Sequence, residues 1–249
     1  MEKKYKSPPV VEALCEFQFV PNEAWDITIP GMLYERIKDE FPIKQQQIGF
    51  GVRIVQPREG GMRERRMELA SPPMQFFSND KCSLVQVGQD LLTINHLKPY
   101  RTWEVFRPSI LKVLGKYIDI ANPKGFRQIG LRYINKIDFD EHRIEITDYF
   151  NYHPTIPNDL PQEHKTFQVT VDIPYEEERD LLRLTLATII PEEPGVLSLV
   201  LDIGYSMVKP EGIGFKQVLN WLENAHLIVE TAFEASITDK CRGLFEEVK

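Results

Sequence analysis

The chain has 249 residues, 42% hydrophobic and 27% charged, with 37 acidic against 30 basic side chains. That content supports a folded core, and no apolar run approaches the ~18 residues of a membrane-spanning helix. The net charge of −7 argues against general nucleic-acid binding, which draws its affinity from cationic contacts to phosphate.

Three cysteines, Cys15, Cys82 and Cys241, are widely spaced and odd in number, which fits free thiols better than a disulfide framework. The start, MEKKYKSPPVVEALCEF, has neither the apolar core nor the small-residue cleavage site of a secretory signal. A cytoplasmic protein is the expectation.

After Pro8-Pro9, the stretch from Val11 to Val20 alternates: Ala13, Cys15, Phe17 and Phe19 on one side, Glu12, Glu16 and Gln18 on the other. A period of two predicts a strand with one buried face. Asp26 to Phe41 follows with a Leu33–Ile37–Phe41 stripe, Pro30 near its start and Pro42 as a stop, which predicts a short amphipathic helix. Gly49 to Leu97 reads as an antiparallel meander of short strands between Gly, Pro and Asn-Asp turns. Within it Arg58, Arg63, Arg65 and Arg66 interleave with Glu59, Glu64 and Glu68, which predicts a solvated hairpin of paired charges. Trp103, Phe106, Ile110, Leu114 and Tyr117 then recur at helical spacing, with Thr102 as cap and Pro108 early in the helix.

The second half opens with the longest alternation. Between Phe126 and Phe139, Ile129, Leu131, Tyr133, Ile137 and Phe139 face one way, and Gln128, Arg132, Lys136 and Asp138 the other. A brief helical stretch at 146–152 and a Pro-rich loop (Pro154, Pro157, Pro161) lead to three strands, FQVTVDI, LLRLTLATII and VLSLVLDIGYSMV. A long helix from Phe215 to Glu234 follows, with a predicted stripe of Leu219, Leu222, His226, Val229 and Phe233. A short final helix runs through Phe245.

The halves 1–122 and 123–249 thus share an order: strand, short helix, antiparallel strands, long helix. The pattern predicts an α+β protein of two pseudo-symmetric sheet-plus-helix units, an order compatible with one continuous sheet. The analogy is to a duplicated fold of the TATA-binding-protein kind, and it carries no function with it. If the opening strands of the two halves pair, Glu12, Glu16 and Gln18 come opposite Gln128, Arg132 and Lys136. Such a surface is either an ion-pair ladder, worth about 0.2–1 kcal/mol per pair, or a polar groove in which Arg132 grips an anion.

Three segments, PPVVEALCEFQF, GLRYINKI and FEASITDKCRGLF, resemble a family of prokaryotic proteins of about this length, distributed sporadically among bacteria and archaea. The matching positions are Pro9, Glu12, Arg132, Tyr133, Asn135, Phe233 and Thr238. The resemblance implies no activity or cofactor. The patchy distribution implies horizontally transferred genes, such as those of defence or conflict systems.

Motif chemistry is sparse. The five histidines, His96, His142, His153, His164 and His226, never fall at metal-ligand spacings, no CxxC occurs, and no metal or cofactor is expected. His226, with Glu230 one turn on, reads as a core histidine. Asn135 interrupts an apolar face and is expected to bond neighbouring backbone; Tyr133 beside it reads as core, with a hydroxyl able to reach a cleft. The expected function is a non-enzymatic interaction or scaffold protein that binds a protein partner or itself. The alternative is a protein or enzyme for a small anionic, nucleotide-like ligand, using Glu12, Glu16, Gln128, Arg132 and Lys136.

Overall fold

The computed structural model describes residues 5–46, 72–141, 143–163, 165–191, 193 and 195–246, and the backbone of 51–54 and 67–70. The chain runs β1 (Val10–Val20), α1 (Ile29–Ile37), β2 (Ile43–Gln46), β3 (Gly51–Ile54), β4 (Met67–Ala70), β5 (Met74–Phe77), β6 (Ser83–Gly88), β7 (Leu91–Leu97) and α2 (Trp103–Ala121). It continues through β8 (Gly125–Phe139), a 3-10 turn (Ile146–Asp148), β9 (Gln168–Tyr175), β10 (Asp180–Ile189), β11 (Leu197–Met207), a second 3-10 turn (Phe215–Gln217), α3 (Val218–Ser236) and α4 (Asp239–Gly243). The arginine hairpin expected at 58–66 lies outside the described residues, as do His142 and His164.

Among the described residues nine strands form one antiparallel sheet in the order β2-β5-β6-β7-β1-β8-β11-β10-β9, and β3 pairs with β4 separately. The two alternating stretches are therefore neighbours at the centre. Outward from them the halves match: β7, β6 and β5 on one side, β11, β10 and β9 on the other. The helices α2 and α3 are each 19 residues long and start about 115 residues apart. The fold is α+β, with one continuous sheet.

Residues directly opposite across strands share a face, so the register defines both surfaces. One row runs Phe76, Val85, Ile94, Cys15, Leu131, Tyr205 and Leu182 across seven strands, and every one of them is buried. Against this face pack the helices: Tyr34 of α1 meets Phe76 at 5.4 Å between ring centroids, and Phe19 stacks on Tyr117 of α2 at 4.6 Å. Trp221 of α3 lies 5.6 Å from Tyr205. The other face carries the polar residues of the same strands.

Several element ends differ from the sequence reading. Helix α1 is shorter than Asp26–Phe41, because the Asp26 carboxylate binds the Thr28 backbone and side chain in a turn ahead of the helix. The stretch at 146–152 contracts to the three-residue turn Ile146–Asp148. Leu219 is not core: it is 43% exposed, and the buried face of α3 is Val218, Trp221, Leu222, Ala225, Val229 and Ala232. Pro108 sits in the second turn of α2, next to the first-turn N–H groups that have no intrahelical acceptor. No helix among the described residues is long and apolar enough to cross a membrane.

Candidate functional site

The five residues Glu12, Glu16, Gln128, Arg132 and Lys136 all lie on the polar face of the central strands, but not in the facing arrangement expected. The β1–β8 register puts Leu14 opposite Arg132, Glu16 opposite Gly130, Glu12 opposite Ile134 and Gln18 opposite Gln128. Glu12 and Glu16 are thus diagonal to Arg132. The partner of Arg132 is Asp202 of β11, which accepts from Nε at 2.7 Å and from Nη2 at 2.5 Å. That hydrogen bond raises the guanidinium pKa, burial opposes it, and the nearby Glu12 and Glu16 add to the rise.

Glu12, Glu16 and Lys136 are engaged as well. Asn95 donates to Glu12 at 2.5 Å and Gln18 to Glu16 at 2.9 Å. Lys136 lies 3.3 Å from Asp138, and Arg183 holds Asp172 bidentately at 2.7 Å. The strand face works as an ion-pair and amide ladder. An anion at Arg132 would compete with a carboxylate already seated in the bidentate geometry a guanidinium prefers.

The opposite, helix-bearing side holds a cavity of about 340 Å³ between the first turns of α2, the middle of α3, the β8 strand and the Tyr5–Val10 segment. Its floor is Tyr133. The Tyr133 hydroxyl lies 3.0 Å from the Tyr100 hydroxyl and 3.3 Å from His226 Nδ1. Burial raises the Tyr133 pKa well above its ordinary value, with Tyr100 adding to the rise, so it is a neutral hydrogen-bonding phenol. Burial lowers the His226 pKa, while Glu223 and Glu104 pull the other way. The imidazole is therefore neutral at pH 7 and offers one donor and one acceptor nitrogen.

Trp103 forms the side wall. Its ring stacks on His226 with centroids 4.4 Å apart and planes 12° from parallel, and its Nε1 donates to Glu223 at 3.1 Å. Glu223 also binds Arg107. Burial pushes the Glu223 carboxyl up, but the bonds from Trp103 and Arg107 outweigh it and leave the pKa lowered. Three further carboxylates, Glu104, Glu230 and Glu234, line the cavity, and Glu234 accepts from the Tyr5 hydroxyl at 2.6 Å and from Arg242 at 2.8 Å. The one cation among the described residues of the lining, Arg101, reaches out to Asp80 at 3.0 Å.

Sequence reading singled out His226 and Tyr133 individually but not their meeting, 93 positions apart along the chain. Asn135, also in the lining, donates to the Leu201 carbonyl at 3.0 Å, the backbone tie its burial requires. Trp103 gave no signal beyond helical spacing. Among the described residues no group of three or more His, Cys, Asp or Glu is placed to hold a metal. The Cys15 thiol is fully buried, and that burial raises its pKa well above normal, so it is a core side chain rather than a nucleophile. Neither a family model nor a curated protein matches the chain.

Proposed function

We propose that this chain is a non-enzymatic binding protein of the cytoplasm whose cavity takes a small organic cation, such as an alkyl or quaternary amine. The observation that carries this reading is the combination of aromatic walls (Trp103, Tyr100, Tyr133) with the lining carboxylates Glu104 and Glu230, Glu234 being neutralised by Arg242. Aromatic faces attract cations by about 0.5–2 kcal/mol each, and carboxylates nearby add Coulomb attraction. A neutral His226 adds no opposing charge. The volume falls in the range of ~300–1,000 Å³ common for small-ligand sites.

The test is a thermal-shift and calorimetric titration with benzyltrimethylammonium, its uncharged tert-butyl isostere and benzoate. The cation should stabilise the protein, as any ligand of the native state does, and Glu230→Gln should weaken that binding several-fold. Equal responses to the cation and its neutral isostere, or none to either, would overturn the reading.

A second reading, closer to the anionic-ligand expectation, has its own observation. On the other side of Pro8–Val10, Lys6, Lys98 and Lys136 converge with Ser7 on a hollow of about 480 Å³. Its cations are tempered by Glu246, 3.5 Å from Lys6, and by Asp138. Stabilisation by inorganic phosphate that disappears in Lys98→Ala would favour this site.

A further inference from the structure

We infer that β9 is a self-association edge, through which two copies of this chain pair antiparallel about a two-fold axis at Val171. Among the described residues β9 is the outermost strand of the second half and pairs only with β10. β9 has eight residues. A long exposed edge strand with apolar side chains is a template for another strand.

The backbone of β9 is in register for that role. The Phe167 carbonyl accepts from the Thr188 N–H at 3.0 Å, and the β9–β10 register runs without a break from Gln168 to Tyr175. Backbone groups of alternate residues point to opposite sides of a strand, so the odd-numbered residues are turned toward β10. Gln168, Thr170, Asp172 and Pro174 are turned outward. Pro174 sits at one of these outward positions and has no N–H to offer, so the pairing forgoes one hydrogen bond at each end, opposite Gln168 of the other copy.

The side chains fit a second copy. On the helix-bearing face Val171 is 40% and Ile173 37% exposed, although they continue the apolar rows of Leu184 and Leu182. In the first half the corresponding outer strands are covered by α1, through Tyr34 on Phe76. Among the described residues the second half has only the Ile146–Asp148 turn at the equivalent place in the chain. Pairing about Val171 sets Val171 against its copy and Val169 against Ile173 of the other copy, which completes the row. On the polar face it sets Thr170, whose hydroxyl shares a bond with Thr185, against Asp172 of the other copy, which stays bound to Arg183 and has lone pairs for a further donor, in both directions.

The experiment is sedimentation velocity and light scattering of the full chain over the micromolar to submillimolar range. The expected result is a concentration-dependent species of twice the monomer mass. Thr170→Pro removes an outward N–H that the β10 pairing does not use, so it should return the protein to monomer with an unchanged circular dichroism spectrum. Val171→Lys should do the same by placing two ammonium groups at the axis, and it decides the matter if the proline variant misfolds. A wild type that stays monomeric overturns the inference; so does a dimer that persists in the folded Val171→Lys variant.

Discussion

Trp103 and His226 lie face to face across the α2–α3 contact, with ring centroids 4.4 Å apart and planes 12° from parallel. The same tryptophan bonds Glu223, one turn before the histidine, so one side chain fixes both the spacing of the two long helices and the wall of the cavity. Trp103→Ala should cost about 3–5 kcal/mol of stability, as large-to-small changes at buried aromatics do. Trp103→Phe keeps a ring against the imidazole and loses only the Nε1 bond, a loss of about 1–2 kcal/mol. Urea denaturation of the two variants measures the difference, and equal losses would mean the indole N–H rather than the stack carries the contact.

Asp180 is fully buried at the start of β10 and accepts from Arg179 at 2.5 Å, from the Tyr205 hydroxyl at 2.9 Å and from Trp221 Nε1 at 3.3 Å. Removing one member of such a group leaves buried donors without an acceptor. Asp180→Ala should cost about 3–5 kcal/mol, and Tyr205→Phe about 1–2 kcal/mol. Chemical denaturation tests both, and a cost for Asp180→Ala below that of Tyr205→Phe would contradict this account.

The Arg132–Asp202 pair predicts the opposite scale. The arginine side chain is half exposed, and screening by water limits such pairs to about 0–1 kcal/mol. A double-mutant cycle of Arg132→Ala and Asp202→Ala should give a coupling below about 1 kcal/mol, with no effect on cation binding at the cavity on the other face. Loss of that binding in Arg132→Ala would mean the two faces are linked.

His96 supplies the pH dependence. Burial, with Arg101 nearby, lowers its pKa from 6.5 to about 4, so between those values the unfolded chain binds more protons than the folded one. Stability from this group is fully present above pH 6.5 and is lost as pH falls through that window. In His96→Leu, which keeps an apolar contact with Phe106, the decline in melting temperature over the same window should be shallower than in the wild type. An unchanged or steeper slope would contradict the assignment.

The hairpin between β9 and β10 places Glu176, Glu177 and Glu178 at φ of 48°, 53° and 64°, a region that residues with a Cβ enter at a cost. Glu177→Gly relieves both that strain and the repulsion among three adjacent carboxylates. Relief of about 1–2 kcal/mol of left-handed strain, less glycine's entropic cost of about 0.5–1 kcal/mol, should leave a net gain, seen as a higher urea midpoint with unchanged slope.

How much of this was legible follows from distance along the chain. The strands β1 and β8 and the helix α2 are visible in the sequence because their side chains alternate or recur every third or fourth residue, a local property. Leu219 was misassigned for the same reason: it fits the spacing of an apolar stripe, but the true stripe is set by where Trp221 meets Tyr205, and that depends on the sheet. The five polar residues of the central strands were correctly placed on one face by parity. Their partners were not, because Asp202 lies 70 positions from Arg132 and reaches it only once β11 has docked beside β8.

By itself, then, the amino-acid order determined that β1 and β8 are strands and α2 a helix, and which face of each turns inward, since both follow from the period of the pattern. Only tertiary structure decided the pairing order of nine strands, the register that seats Arg132 against Asp202, and the meeting of Tyr133 with His226 that makes the cavity floor. Those depend on docking between elements far apart in the chain, where a shift of one residue exchanges the two faces of a strand.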